Sequence, residues 1–253
     1  MLKNKKAAEF YDGYHQHSDE MPEDHPVRQK THRIFLRWLR ELSPKPGARV
    51  LDLSCGLGYF LKAAREYDPS LKLEGLDHSA YAVAQSAARV PEAKVNVGDA
   101  LKQPYAAKSF DVVTCLGSLE HYPDSEQGLA EIHRVLKDDG LALVYVPNLF
   151  FLGYLYLVWK TGETPHEAGQ NEYEHFETRQ GWEEMLARQG FKVVKVTKSN
   201  EMFATERVSL PVRILYSLFV EPFVPLNLSY CFGFYIRKDP AFKRPAMRPR
   251  REG

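Results

Sequence analysis

Apolar and polar positions alternate along this chain in two rhythms. The segment from 25 to 42, HPVRQKTHRIFLRWLREL, places Ile34, Phe35, Trp38, Leu39 and Leu42 at helical spacing, and SPKPG supplies the stop. That spacing predicts an amphipathic helix as the first regular element, behind a polar lead-in that bears histidines. Short apolar runs follow: ARVLDLS, LKLEGLD, AKVNVGD, FDVVTCLG and LALVYVP. Each has the length and composition of a strand buried on both faces. The segments 57–67 and 79–89 between the early runs are alanine-rich and helical in character, and SEQGLAEIHRVLKDDG predicts a helix closed by its glycine. Strands alternating with helices define a parallel sheet covered on both sides, an α/β class.

The rhythm changes after Pro147. LFFLGYLYLVWKTGETPHEAGQNEYEHF is irregular and aromatic, TRQGWEEMLARQG predicts a helix, and FKVVKVTKS and NLSYCFGFYIRK predict strands, the last one antiparallel. The stretch before that last strand, VSLPVRILYSLFVEPFVPL, carries too many prolines to be more than partly helical. At 253 residues one α/β domain accounts for the chain. We expect a single domain over 1–240, with an N-terminal lid and helix in 1–44, a substrate-side insertion at 148–178, and a disordered basic tail at 241–253.

Charge narrows the function classes. Lys plus Arg number 34 and Asp plus Glu 33, so the formal net charge is +1 and no overall field favours nucleic acid. The three cysteines, Cys55, Cys115 and Cys231, are far apart and suggest neither a disulfide framework nor zinc, which fits a reducing cytoplasm. The N-terminus has no apolar core of signal-peptide length, and the longest apolar stretch, 149–159, is short of the ~20 residues that span a bilayer. His166, Glu172, Tyr173 and His175 are too irregularly spaced to predict a metal site. The run 149–159 and the aromatic stretch 215–235 are either core or the wall of a pocket for an apolar or aromatic compound, and peripheral membrane contact is the further option.

The chemistry concentrates in VLDLSCGLGYF, residues 50–60. In a doubly wound sheet, ligands bind at the carboxyl ends of the strands, where Gly56 and Gly58 allow the backbone to approach closely. A dinucleotide loop wants a third glycine, and Tyr59 and Phe60 follow instead. Asp52 at the strand end would repel a phosphate and favour an ammonium group, so the loop points to a cationic cofactor.

This motif resembles the first motif of class I S-adenosylmethionine-dependent methyltransferases. LKLEGLDHS ends a second strand at Asp77, 25 residues beyond Asp52, where the family carries an acid for the ribose hydroxyls. VNVGDALKQPY ends a third strand at Asp99, where the family often holds the adenine amino group, with the Ala100 amide beside it. FDVVTCLGSLEHYPD and EIHRVLKDDGLALVYVPN resemble the fourth strand and the helix and strand after it, in the subfamily that includes quinone methyltransferases. The resemblance covers roughly 45–150, more loosely the segment HFETRQGWEEMLARQGFKVV, and departs at Ser54, where glycine is usual. It implies a Rossmann-like, seven-stranded, mostly parallel sheet with an antiparallel last strand. It also implies S-adenosylmethionine as cofactor, S-adenosylhomocysteine as product, and a small-molecule acceptor. The cofactor set it implies is Tyr14, Asp52, Ser54, Gly56, Gly58, Asp77, His78, Asp99, Ala100 and Leu116, with Tyr14 either covering the cofactor or exposed on a mobile arm. His121 either accepts a proton during catalysis or, with Glu120, shapes the loop.

The leading reading is an enzyme that methylates a small, apolar or aromatic acceptor by in-line displacement. A module that binds the cofactor without turnover is the alternative. A nicotinamide oxidoreductase is disfavoured by the missing glycine and by Asp52, and a nucleic-acid methyltransferase by the absence of a matching catalytic tetrapeptide.

Overall fold

β-branched and leucine-rich runs form the inner strands here because both of their faces are covered. The computed structural model describes residues 2–162, 175–199 and 223–242. Its elements, in chain order, are α1 (Leu2–Asp19), α2 (Pro26–Leu42), β1 (Arg49–Leu53), α3 (Tyr59–Tyr67), β2 (Lys72–Asp77), α4 (Ala80–Arg89), β3 (Lys94–Val97), β4 (Phe110–Leu116), α5 (Ser125–Val135), β5 (Leu136–Pro147), α6 (Leu152–Thr161), α7 (Arg179–Arg188), β6 (Phe191–Ser199) and β7 (Cys231–Lys238). The seven strands form one sheet in the order β3-β2-β1-β4-β5-β7-β6. The first five strands pair in parallel, and β7 lies antiparallel between β5 and β6. The predicted doubly wound architecture and its antiparallel last strand are therefore present.

Alternation along each strand sends side chains to two separate cores. Val50, Val112 and Leu143 meet Trp38, Leu39, Phe60 and Leu61 from α2 and α3. Leu51, Leu53, Val113 and Val144 meet Leu129 and Ile132 of α5 and Trp182 and Leu186 of α7. Each such large apolar side chain, once buried, contributes about 1.5–3 kcal/mol. The α2 helix matches its predicted span: Pro26 occupies its first turn, the His25 side chain accepts from the Val27 amide, and Ser43 closes it in a left-handed conformation.

Two expectations need correction. The N-terminal lead-in is not irregular, since α1 precedes the amphipathic helix and packs on α4. Without a strong apolar period of its own, it is held by tertiary contacts that no local pattern reports. The helix predicted through Gly140 stops at Val135, and Leu136 turns extended. Leu136 is fully buried and pairs with Phe110, and Lys137 reaches Asp111 at 2.7 Å, so sheet pairing outweighs local helix preference there. Most of the insertion (163–174), much of the proline-bearing stretch (200–222) and the tail from 243 onward lie outside the described residues.

Candidate active site

The sheet order reverses between β1 and β4, and the crevice at such a switch point opens at the carboxyl ends of the strands. The loop after β1 forms its floor. Cys55 donates its amide to the Leu76 carbonyl at 3.1 Å, which pins the loop to β2. Gly56 (φ +49°) and Gly58 (φ +79°) both occupy the left-handed region. A Cβ on Gly58 would stand 2.9 Å from Ser86 Cβ of α4 and closer still to its Oγ, so only glycine allows α3 to start this close. Ser54 is also left-handed, at φ +53°.

Asp77 organises the loop. Its Oδ2 accepts the Gly56 amide at 2.8 Å and its Oδ1 the Ser79 amide at 2.9 Å, so one carboxylate joins the loop to the start of α4. Its carbonyl accepts from Gly98 at 2.8 Å, which brings the β3 end, with Asp99 and Ala100, alongside. Asp99 Oδ1 accepts the Leu101 amide at 2.8 Å. His78 lies half-buried beside Asp77, and Leu116, half-buried at the end of β4, packs against the core on the α2 side.

Asp52 sits lower. It is directly opposite Thr114 in the parallel register, and the Thr114 hydroxyl donates to its Oδ1 at 2.7 Å. Burial raises its pKa to about 7, against the lesser effect of the Thr114 hydrogen bond, with the nearby negative charge of Asp77 adding to the rise. Asp52 is thus a buried carboxyl that gains most from a cation placed above it.

The α1 helix covers the loop with a residue other than the one expected. Tyr14 is 56% exposed and does not enter the crevice, whereas His15 places Cε1 3.1 Å from where a Cβ on Gly56 would stand. A helix turns by about 100° per residue, so neighbouring side chains cannot share a face. Burial lowers the His15 pKa, offset in part by Asp77 and Asp12. Asp12 accepts from Ser79 Oγ at the cap of α4. The joint between α1 and α2 is held by Tyr59, whose ring centre is 4.4 Å from the Arg28 guanidinium and 4.2 Å from that of Arg89, and by Asp19 and Glu23, each 3.3 Å from Arg89.

The opposite wall begins with the helical turn Leu119–His121. Glu120 is buried and its carbonyl accepts the His175 amide at 2.8 Å. The His121 Nδ1 is buried with no hydrogen-bond partner among the described residues, and burial holds its imidazole below the usual value. Beside this turn, Tyr154 of α6 meets Phe176 at 5.6 Å and Tyr230 at 6.1 Å, and Phe151 meets Tyr230 at 5.2 Å. Thr114, Asp12, His15 and Tyr122 were missed from sequence. Of these only Thr114 had a signal, as the residue the β1–β4 register sets against Asp52.

The methyltransferase domain family model matches residues 25–196, which include the β1 loop and the turn that carries His121. The chain belongs to this family. The methyltransferase is 31% identical over 185 residues to demethylmenaquinone methyltransferase of Lactobacillus johnsonii, a match covering 65% of this chain and 76% of that protein. A solved complex of the Haloferax volcanii Trm112 methyltransferase activator with a methyltransferase contains a chain of the same fold (TM-score 0.67, 18% identity, 93% and 99% covered). So does the [4+2]-cyclase SpnF (TM-score 0.63, 17% identity, 87% and 86% covered). The methyltransferase is a class I enzyme whose methyl donor is S-adenosylmethionine. Its residues suit that donor: two left-handed glycines let His15 and α4 close onto the loop, and the Asp52 and Asp77 carboxylates suit a cationic amino-acid nucleoside better than a diphosphate. No helix among the described residues is long and apolar enough to cross a membrane.

Proposed function

We propose that this methyltransferase transfers the methyl group to a small aromatic or apolar acceptor, with His121 taking the acceptor's proton. The observation that carries the reading is the His121 Nδ1, buried with its proton affinity lowered by burial, in the turn whose Glu120 carbonyl holds the His175 amide next to Phe176 of the aromatic cluster. A neutral imidazole in a dry site accepts a proton from a hydroxyl or an activated ring carbon as it attacks. Aromatic faces favour a flat ring stacked against them. The outward side of α6 continues the apolar character to the surface, with Leu155 and Tyr156 exposed and Trp159 at 81%. The name of the Lactobacillus relative, which acts on a demethylmenaquinone, supports an aromatic ring as acceptor here.

S-adenosylmethionine supplies an electrophilic methyl whose sulfonium charge is lost on transfer. The chain's part is to hold and align. Asp77 would receive the ribose hydroxyls and Asp52 the amino-acid ammonium. Ser54, Gly56 and Gly58 would lie beneath the methionine portion, Asp99 and Ala100 would hold the adenine, and His78 and Leu116 would flank it. Alignment of acceptor, carbon and sulfur to within about 3–3.5 Å in a water-excluded site supplies much of the rate.

Titration with S-adenosylmethionine and with NADH tests the cofactor residues: binding of the first alone, weakened at least tenfold in Asp77→Ala, is expected, and equal binding by both proteins rejects the assignment. A panel of phenols, quinols and amines then tests the acceptor. His121→Gln should lower kcat by about 100-fold on hydroxyl or carbon acceptors, in the range for general-base loss, and leave the cofactor Kd unchanged. A module that binds without turnover, the second reading, is favoured if wild type binds and methylates nothing.

A further inference from the structure

Ser54 stands in the cofactor loop in a backbone conformation suited to glycine. With φ +53° its Cβ crowds the following carbonyl, a cost that persists only where the surroundings enforce the conformation. One contact does so from across the crevice: Ser54 Oγ and the Tyr122 hydroxyl share a hydrogen bond of 2.8 Å. Tyr122 is itself immobile. Its amide is bonded to the Leu119 carbonyl at 3.2 Å, closing the turn that carries His121. Its ring lies so close to α5 that a Cβ on Gly128 would fall 2.6 Å from a ring carbon. Its hydroxyl is also 3.6 Å from Cys115 Sγ, inside the core end of β4.

We infer that Tyr122 is a positioning residue that braces Ser54, holding the cofactor loop in the glycine-like conformation and fixing it to the turn that carries His121. The inference rests on the reading that this loop receives S-adenosylmethionine. Two features follow from the geometry. The loop and the acceptor-side turn move as one body, because a single short hydrogen bond between two fixed elements joins them. The loop depends on a serine and a tyrosine together, so neither is replaceable alone at no cost: losing the tyrosine hydroxyl leaves a left-handed serine unsupported, and losing the serine leaves a buried hydroxyl without that partner.

A double-mutant cycle tests the brace. Tyr122→Phe removes one oxygen and keeps the ring against Gly128. It should raise the Kd for S-adenosylmethionine by roughly 5–10-fold, the worth of one buried hydrogen bond. Ser54→Gly combined with Tyr122→Phe should return the Kd to within about twofold of wild type, since glycine takes φ +53° unaided and no unpaired hydroxyl remains; such non-additivity marks direct coupling. Should Tyr122→Phe not fold, Ser54→Ala removes the brace from the other side with the tyrosine intact, and the same rise is expected. Melting temperatures are recorded beside each Kd. A lower melting temperature with an unchanged Kd makes Tyr122 a packing residue and overturns the inference, as do additive losses in the double variant. Wild type that binds, with Asp77→Ala weakened and Tyr122→Phe unchanged, rejects the brace alone; wild type that does not bind rejects both the brace and the cofactor residues.

Discussion

Asp52 shows what the site asks of a single residue. A carboxyl whose folded pKa lies near 7, well above the ~3.9 of an unfolded chain, binds more protons folded than unfolded across the interval between. Its contribution to stability therefore falls as pH rises from about 4 to 7, by up to roughly 4 kcal/mol over that interval. Asp52→Asn keeps an acceptor for Thr114 and removes that cost, so the variant should melt higher than wild type at pH 8 and no higher at pH 4. A cofactor ammonium reverses the sign, because it favours the ionised form. Binding should release a proton below pH 7, and the affinity for S-adenosylmethionine should climb with pH until about 7 and then level. Calorimetry at pH 6 in two buffers of different ionisation enthalpy reads that proton directly; buffer-independent heats would remove Asp52 from the ammonium site. Loss of affinity in Asp52→Asn, with its gain in stability, would identify a group held in a costly state for binding.

Among the elements, the β1 loop and the starts of α3 and α4 form one unit, locked where Gly58 meets Ser86. Gly58→Ala combines φ +79° with a Cβ 3.0 Å from the Ser86 backbone, and should lose about 2–3 kcal/mol by chemical denaturation. A loss below about 1 kcal/mol would mean that α4 can move away, and the contact is then looser than it looks. The α1 helix is attached differently, through Asp12 to the cap of α4, through Asp19 to Arg89 and Tyr81, and through the Ser18 carbonyl to Arg28. Asp12→Ala should therefore speed amide exchange along α1 and leave exchange in β1 and β4 unchanged. These cases also show what the sequence could disclose. Gly56, Gly58, Asp52 and Asp77 were legible because backbone geometry and strand ends dictate their residue types locally. His15 and α1 were not, because a helix with no strong apolar stripe is fixed by what it lands on. The end of α5 misled for the same reason in reverse, as a good helical pattern was overridden by the pairing of Leu136 with β4.

At the scale of the molecule, the two halves of the sheet divide the work. The parallel half from β3 to β4 carries the β1 loop, and α6 with the segments before it and before β7 carries the aromatic cluster, so on the proposed reading acceptor choice should vary without disturbing cofactor binding. The fold does not by itself impose methyl transfer, since a cyclase shares it; what the acceptor side contributes decides the reaction. Tyr154 is the informative position, because it touches Phe151, Phe176 and Tyr230 together. Replacing it by alanine removes the shared ring and opens the wall, while Asp52, Asp77 and both glycines stay in place. On an aromatic acceptor, Tyr154→Ala should raise KM by about tenfold, within the roughly 1–3 kcal/mol that such ring contacts and their burial supply, and leave the Kd for S-adenosylmethionine within about twofold of wild type. Steady-state kinetics beside cofactor titration separate the two effects: an unchanged KM would place the acceptor elsewhere, and a weakened cofactor Kd would show that the two halves are not independent.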